Sequence, residues 1–146
     1  MQLSTKGRYA VMAMTDLAAR PAGRPVTLAD IAGRQQISLA YLEQLFSRLR
    51  RRGVVESVRG PGGGYRLARP AGEISVAEVI KAVDEPLRAT RCSGPGAKVG
   101  CMAGGARCLT HDLWEATGRQ IEQFLGGISL ADVASGALGR ERAVAA

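Results

Sequence analysis

Thr27-Leu-Ala-Asp30-Ile-Ala-Gly-Arg-Gln-Gln-Ile37-Ser38-Leu-Ala-Tyr-Leu-Glu-Gln-Leu-Phe46-Ser-Arg-Leu-Arg-Arg-Arg-Gly53-Val-Val-Glu-Ser-Val-Arg59-Gly-Pro-Gly-Gly-Gly64-Tyr-Arg-Leu67 decides the fold. Thr27 to Asp30 has the form of a capping box, a hydroxyl residue with an acid three places on, and Leu28, Ile31 and Ala32 give the short helix behind it one apolar stripe. Gln35-Gln36-Ile37 makes a brief turn. Ser38 is the next N-cap, and Ile37 with Leu42 forms a hydrophobic staple that fixes how the chain enters a second, longer helix. That helix buries Leu42, Leu45, Phe46 and Leu49 on one side and stops at Gly53. Two β-prone runs then flank Gly60 to Gly64, which reads as a hairpin with a glycine-rich tip. A helix-turn-helix followed at once by a hairpin describes a winged helix. The expected fold class is mainly α with a small β-hairpin, a winged helix-turn-helix carrying a long dimerisation helix.

At about 100° per residue, the outward face of the second helix carries Ala40, Glu43, Gln44, Ser47, Arg48 and Arg51, flanked by Arg50 and Arg52. Small and amide side chains near a helix start reach base edges in a major groove, and arginines at its far end meet phosphates. An ordinary amphipathic helix with a polar outside gives the same pattern. The hairpin tips the balance: Arg59 and Arg66 flank its tip, and glycines let a backbone come close to a phosphate or a minor groove. A nucleotide-binding loop would need Gly-Lys-Ser/Thr and a helix start directly after it, and both are missing. The candidate DNA-binding set is Thr27, Ser38, Ala40, Tyr41, Glu43, Gln44, Ser47, Arg48, Arg50, Arg51, Arg59, Gly60, Gly62 and Gly63.

Charge points the same way. The chain has 146 residues and a net charge of +7. Residues 1–70 hold 12 Lys or Arg against 4 Asp or Glu, whereas residues 71–146 hold 8 against 9. Eleven of those twelve cations are Arg, whose planar fork suits phosphates and guanine edges. The length is one domain's worth, and hydrophobic residues at 46% with aromatics at 4% call for a core of Leu, Val, Ile, Ala and Met. No apolar run approaches the roughly 20 residues of a membrane helix. Lys6 and Arg8 before a short apolar stretch resemble a signal peptide, but Asp16 interrupts it, and Ala10, Ala13, Met14, Leu17 and Ala18 fall at helical spacing instead. A cytoplasmic location without membrane association is expected.

Further along, Ser75-Val-Ala-Glu78 is another capping box, with Ile74 and Val79 as its staple, and Pro86 closes that helix. Ser129-Leu-Ala-Asp132 is a third. Its likeness to Thr27-Leu-Ala-Asp30 reflects shared capping chemistry, because the surroundings do not repeat. A helix from about Thr110 to Leu125 spreads Leu113, Trp114, Thr117, Ile121, Phe124 and Leu125 over more than one narrow stripe. A second copy of the chain would cover so wide a face. The expectation is a two-fold homodimer on double-stranded DNA, its operator having two half-sites about one turn (roughly 34 Å) apart. Packing of the helix on its own domain is the other reading. Four segments result: 1–85 a winged-helix DNA-binding domain, 86–109 a cysteine-bearing loop, 110–135 the dimerisation helix with a short C-terminal helix, and 136–146 a disordered tail.

All three cysteines, Cys92, Cys101 and Cys108, and the chain's one histidine, His111, fall within 20 consecutive residues. Three thiols in a reducing compartment do not make a disulfide framework. The segment between Cys92 and Cys108 is rich in Gly and Ala, and ordering it costs on the order of 1–2 kcal/mol per residue, which Val99, Cys101 and Met102 cannot offset. A bound metal can, because site formation releases on the order of 10 kcal/mol. Thiolates with one imidazole suit zinc or an iron–sulfur cluster. The gaps of eight, six and two residues are long for one zinc ion, only Cys108-Leu-Thr-His111 being zinc-like, and fit better around a cluster whose ligands attach to different irons. A catalytic Cys108–His111 couple lacks an orienting residue or oxyanion hole. Spacing ranks cluster above zinc and zinc above catalysis.

Leu3-Ser-Thr-Lys-Gly-Arg-Tyr-Ala, Ser38-Leu-Ala-Tyr-Leu-Glu-Gln-Leu-Phe, Arg59-Gly-Pro-Gly-Gly-Gly-Tyr and Cys108-Leu-Thr-His together resemble a family of bacterial winged-helix repressors that includes iron–sulfur cluster regulators and nitric-oxide and cysteine-supply sensors. The resemblance spans roughly residues 1–134. It implies a dimeric, non-enzymatic transcription factor with one [2Fe-2S] cluster per subunit, reporting cluster status to genes of cluster biogenesis. The implied ligands are Cys92, Cys101, Cys108 and His111; the recognition helix matches at Glu43 and Gln44, and the wing arginine at Arg59. The carboxylate matching Glu43 helps relatives separate the sites bound with and without cluster. Two departures stand out. The cysteine gaps are wider here than is usual in relatives, and Ala40 replaces a common serine. His111 favours the cluster regulators over the nitric-oxide sensors, which lack it. A zinc- or thiol-redox-sensing repressor is the rival reading, and a small iron–sulfur electron carrier, which has no use for the basic first half, is a further one.

Overall fold

Local capping chemistry sets where the helices begin. The computed structural model describes residues 3–89 and 100–140. In chain order the helices are α1 (Thr5–Ala18), α2 (Leu28–Gln35), α3 (Leu39–Arg51), α4 (Val76–Ala82), α5 (His111–Gly126) and α6 (Leu130–Ala134). The hydroxyls of Thr27, Ser38, Ser75 and Ser129 each accept the amide N–H three residues on, at 3.1 Å, satisfying first-turn donors that would otherwise lack partners. Only Ser129 completes the reciprocal box, its own N–H donating to Asp132 at 2.9 Å. That bond, with the Ser129 hydroxyl contact, holds the Asp132 carboxyl below its ordinary range. The boxes expected at Thr27 and Ser75 are half-made. Glu78 turns away to pair with Arg69, and Asp30 makes no return bond among the described residues.

Strands β1 (Val55–Val58) and β2 (Gly64–Leu67) form an antiparallel hairpin with Val55 opposite Leu67 and Val58 opposite Gly64. Val26 and Tyr65 exchange two further backbone hydrogen bonds, 2.8 and 2.7 Å, which dock the approach to α2 onto the hairpin. The fold is therefore a winged helix-turn-helix, mainly helical with one two-stranded hairpin.

The core sits under the apolar stripes read from the sequence. Ala10, Ala13, Met14 and Leu17 of α1 meet Ile31, Leu42, Leu45, Phe46, Leu49, Val54, Val79 and Leu130. Alanines on α1 let it lie close to its neighbours, and Phe46 meets Tyr65 edge-on at 5.0 Å. A smaller cluster of Val76, Ala77, Ile80, Leu87 and Ile128 joins α4 to the chain before α6. Glu85, at the end of the first segment, accepts the Ser4 N–H and hydroxyl, both at 2.7 Å, tying the exit from this domain to the start of α1.

Helix α5 differs. Of its residues only His111 is buried, while Leu113 (57% exposed), Trp114 (40%) and Phe124 (63%) face outward. Beyond α6, residues 137–140 are helical, and Arg140 donates to the Ser135 carbonyl at 2.9 Å. Residues 141–146 lie outside the described residues. Among those described, no helix is long and apolar enough to cross a membrane.

Candidate functional site

The turn between α2 and α3 needs a left-handed residue, and Gln36 supplies it with φ 55°. Beneath it lies Asp16, whose side chain is 1% exposed. Arg34 donates to Asp16 through Nη2 at 2.7 Å and Nε at 3.0 Å, and Gln35 through Nε2 at 2.8 Å. Burial pushes the Asp16 carboxyl up, but the Arg34 and Gln35 hydrogen bonds and the charges of Arg34 and Arg20 outweigh it, so the group is held below its ordinary value. This network pins the end of α2 to α1 and thereby sets where α3 starts. From sequence, Asp16 registered only as a break in an apolar run.

On α3, Ala40, Glu43, Gln44, Ser47, Arg50 and Arg51 are exposed on the side away from the core, as the helical spacing predicts. Arg51 makes only a long 3.4 Å contact to the Ser47 carbonyl, and Arg50 makes no ion pair among the described residues. Arg48 is placed differently from its neighbours on this helix. It is half-buried, donates through Nη1 to the Val83 carbonyl at 3.3 Å and places Nε 3.9 Å from Asp84, which Arg52 also meets at 3.2 Å. The end of α4 offers a free carbonyl and a carboxylate beside α3, so Arg48 clamps the two helices instead of standing free. Thr27 and Ser38 use their hydroxyl oxygens as caps, which leaves each O–H proton available to a phosphate. Tyr41 is half-buried and edge-on to Tyr9 at 5.9 Å.

The hairpin tip carries exposed Gly60 and Gly62, with Arg59 beside them and unpaired among the described residues. Glycine is required just inside the tip. A Cβ on Gly63 would strike the Val58 carbonyl, and one on Gly64 the Val26 carbonyl. Arg66, the other arginine at the tip, is held at 3.1 Å by Glu56 directly across the ladder.

The second site lies where the cysteine segment meets α5. Cys101 Sγ lies 3.0 Å from His111 Nδ1, and the Cys108 amide donates to the same sulfur at 3.4 Å. Cys108 Sγ is 3.6 Å from the Thr110 hydroxyl. His111 opens α5 and is 7% exposed, whereas Cys101 is exposed and Cys108 half-buried. The segment does hold some structure of its own. Backbone bonds Gly100 to Gly105, Met102 to Ala106 and Gly105 to Met102 close a tight turn, though Met102 (54%) and Leu109 bury little. Cys92 lies outside the described residues. Cys101 Sγ and the His111 ring meet at the helix start, while Cys108 turns its amide to Cys101 and its thiol to Thr110; thiols with an imidazole are a soft donor set, which fits an iron–sulfur cluster or zinc.

A helix-turn-helix with a glycine-tipped, arginine-flanked hairpin defines a winged-helix DNA-binding protein. The Rrf2 family, described as "Iron-dependent Transcriptional regulator", matches residues 3–136, and the chain belongs to that family. It is 62% identical over 133 residues to the HTH-type transcriptional regulator IscR of Xenorhabdus nematophila, covering 91% of this chain and 79% of that protein. It is 57% identical to that of Cronobacter sakazakii, covering 91% and 80%. Among solved structures it resembles T. potens IscR (TM-score 0.75, 39% identity, 94% of this chain and 88% of that one). It also resembles CymR, the global cysteine regulator of B. subtilis (TM-score 0.75, 30% identity, 92% and 97%). The protein is thus a DNA-binding regulator of transcription and not an enzyme.

Proposed function

We propose that this regulator works as a homodimer, mainly as a repressor, that holds a [2Fe-2S] cluster in each subunit and reports cluster status to the genes of cluster biogenesis. Cys92, Cys101 and Cys108 as thiolates and His111 as a neutral imidazole would hold the cluster. When bound, the cluster supplies a one-electron couple and iron–thiolate links between distant points of the chain. The observation that carries this reading is the 3.0 Å approach of Cys101 to His111 at the first turn of α5. The outward apolar residues of α5 support pairing of two copies there, and the start of α3 with the Arg59 wing supports reading of one half-site by each copy. Ordering of the cysteine segment then biases α5 and the pose of the two reading heads.

The test is anaerobic reconstitution with iron and sulfide, followed by absorption spectra, metal counts and promoter binding with and without the cofactor. Iron and sulfide in equal amount, a spectrum altered by Cys92→Ala and by Cys101→Ala, and a change in the promoters selected are expected. Zinc as the bound metal, or spectra indifferent to both substitutions, would show the assignment to be wrong.

A further inference from the structure

We propose that Glu115 is the positioning residue for His111: its carboxylate holds the imidazole in the tautomer protonated at Nε2, which presents Nδ1 as the atom that meets the cofactor beside Cys101. The proposal rests on the reading of His111 as a ligand.

His111 and Glu115 stand one turn apart on α5, the spacing at which helix side chains meet. Glu115 Oε2 lies 3.9 Å from His111 Nε2, with side-chain exposures of 22% and 8%. That separation exceeds a hydrogen bond and closes with a small torsional change in the flexible glutamate. The other carboxylate oxygen, Oε1, faces Arg119 Nη1 at 3.4 Å, another turn along. The two oxygens are therefore divided: one is anchored by a guanidinium and the other is turned to the ring. Asp112, the other nearby acid, also brings a carboxylate oxygen within 4.8 Å of the ring and of Glu115, but its side chain is 87% exposed and pairs with Arg107 at 3.6 Å, so the more sheltered Glu115 is the carboxylate placed to hold the ring. On the far side of the ring, Nδ1 is 3.0 Å from Cys101 Sγ.

A neutral imidazole has one N–H and one lone pair. A carboxylate at Nε2 claims the proton and leaves the lone pair on Nδ1, the arrangement by which outer-shell carboxylates orient ligating histidines. In the cofactor-free chain the Cys101 S–H can donate to that lone pair, so the tautomer is set before any metal arrives.

The chain has a single histidine, so a 15N-histidine-labelled sample gives one set of ring signals. The cofactor-free full chain is measured reduced, under anaerobic conditions, at a pH where the ring is neutral. Nδ1 should show the unprotonated shift in the wild type and in Glu115→Gln, whose amide carbonyl still accepts from Nε2. Glu115→Ala should weaken that preference measurably, leaving the Cys101 S–H as its remaining support, and alanine keeps the helix intact. In the reconstituted protein, iron release to a chelator should then be about tenfold faster for Glu115→Ala and near wild type for Glu115→Gln. A wild-type ring protonated on Nδ1, or an alanine variant matching wild type in either ring signals or release rate, overturns the role of Glu115. A chain that takes up no iron overturns the ligand reading beneath it.

Discussion

At the scale of single residues, Asp16 shows how one buried charge fixes a recognition element. It sits almost wholly out of water and keeps its charge because Arg34, Gln35 and Arg20 surround it. Removing one partner of a buried pair costs 3–5 kcal/mol when both are fully enclosed. Arg34 keeps about a third of its side chain in water, so Arg34→Ala should cost about 2–3 kcal/mol in urea unfolding. The carboxyl is held low in the folded state, so its contribution is complete above the ordinary carboxylate value of 3.8 and disappears as pH falls through the depressed folded value. The stability difference between wild type and Asp16→Asn should accordingly shrink in unfolding experiments below that pH. A difference that persisted unchanged into strong acid would mean that the charge of Asp16 is not what α2 leans on.

Among elements, the proposed function divides recognition between α3 and the wing. Gln44→Ala should weaken the preferred operator by about 1–3 kcal/mol, with the loss concentrated at particular base pairs. Arg51→Ala should weaken all sequences alike and lower the salt slope by about 1. Titrations of matched and scrambled duplexes at several salt concentrations distinguish the two effects; equal losses on both duplexes for Gln44→Ala would remove it from base readout. The caps at Thr27, Ser38, Ser75 and Ser129 were legible from sequence because a hydroxyl and an amide three residues away meet wherever a helix starts. Arg48 was not legible as a clamp, because helical periodicity gives its angle around α3 but not the α4 carbonyl that stands beside it. The return halves of two capping boxes failed for a related reason, since a long acidic side chain such as Glu78 goes to whichever cation the tertiary fold brings near. Glu115 went unnoticed although its four-residue spacing from His111 on an expected helix was sufficient to find it.

For the molecule as a whole, the outward apolar side of α5 carries the largest energetic consequence. Leu113, Trp114 and Phe124 are aromatic or large aliphatic residues left in water by one chain, of the kind that anchor the centre of an interface. Phe124→Asp should yield a monomer in sedimentation experiments and abolish tight binding to operators with two half-sites, while the thermal unfolding of the winged-helix part changes little. A variant that still sediments as a dimer would place the contact elsewhere. The clustering of cysteines and histidine was legible as a run of residue types, whereas the approach of Cys101 to His111 required the turn at residues 100–106, which the Gly- and Ala-rich sequence did not announce.

The paired bonds between Val26 and Tyr65 join the hairpin to the very strand of chain that leads into Thr27. Finger and thumb of this hand are stitched at the base, so the hairpin does not flex independently of the helices it accompanies. Under the proposed function, a change of promoter preference would have to act on how the whole grip is angled and spaced, as with a caliper whose jaws keep their shape while the gap between them is reset.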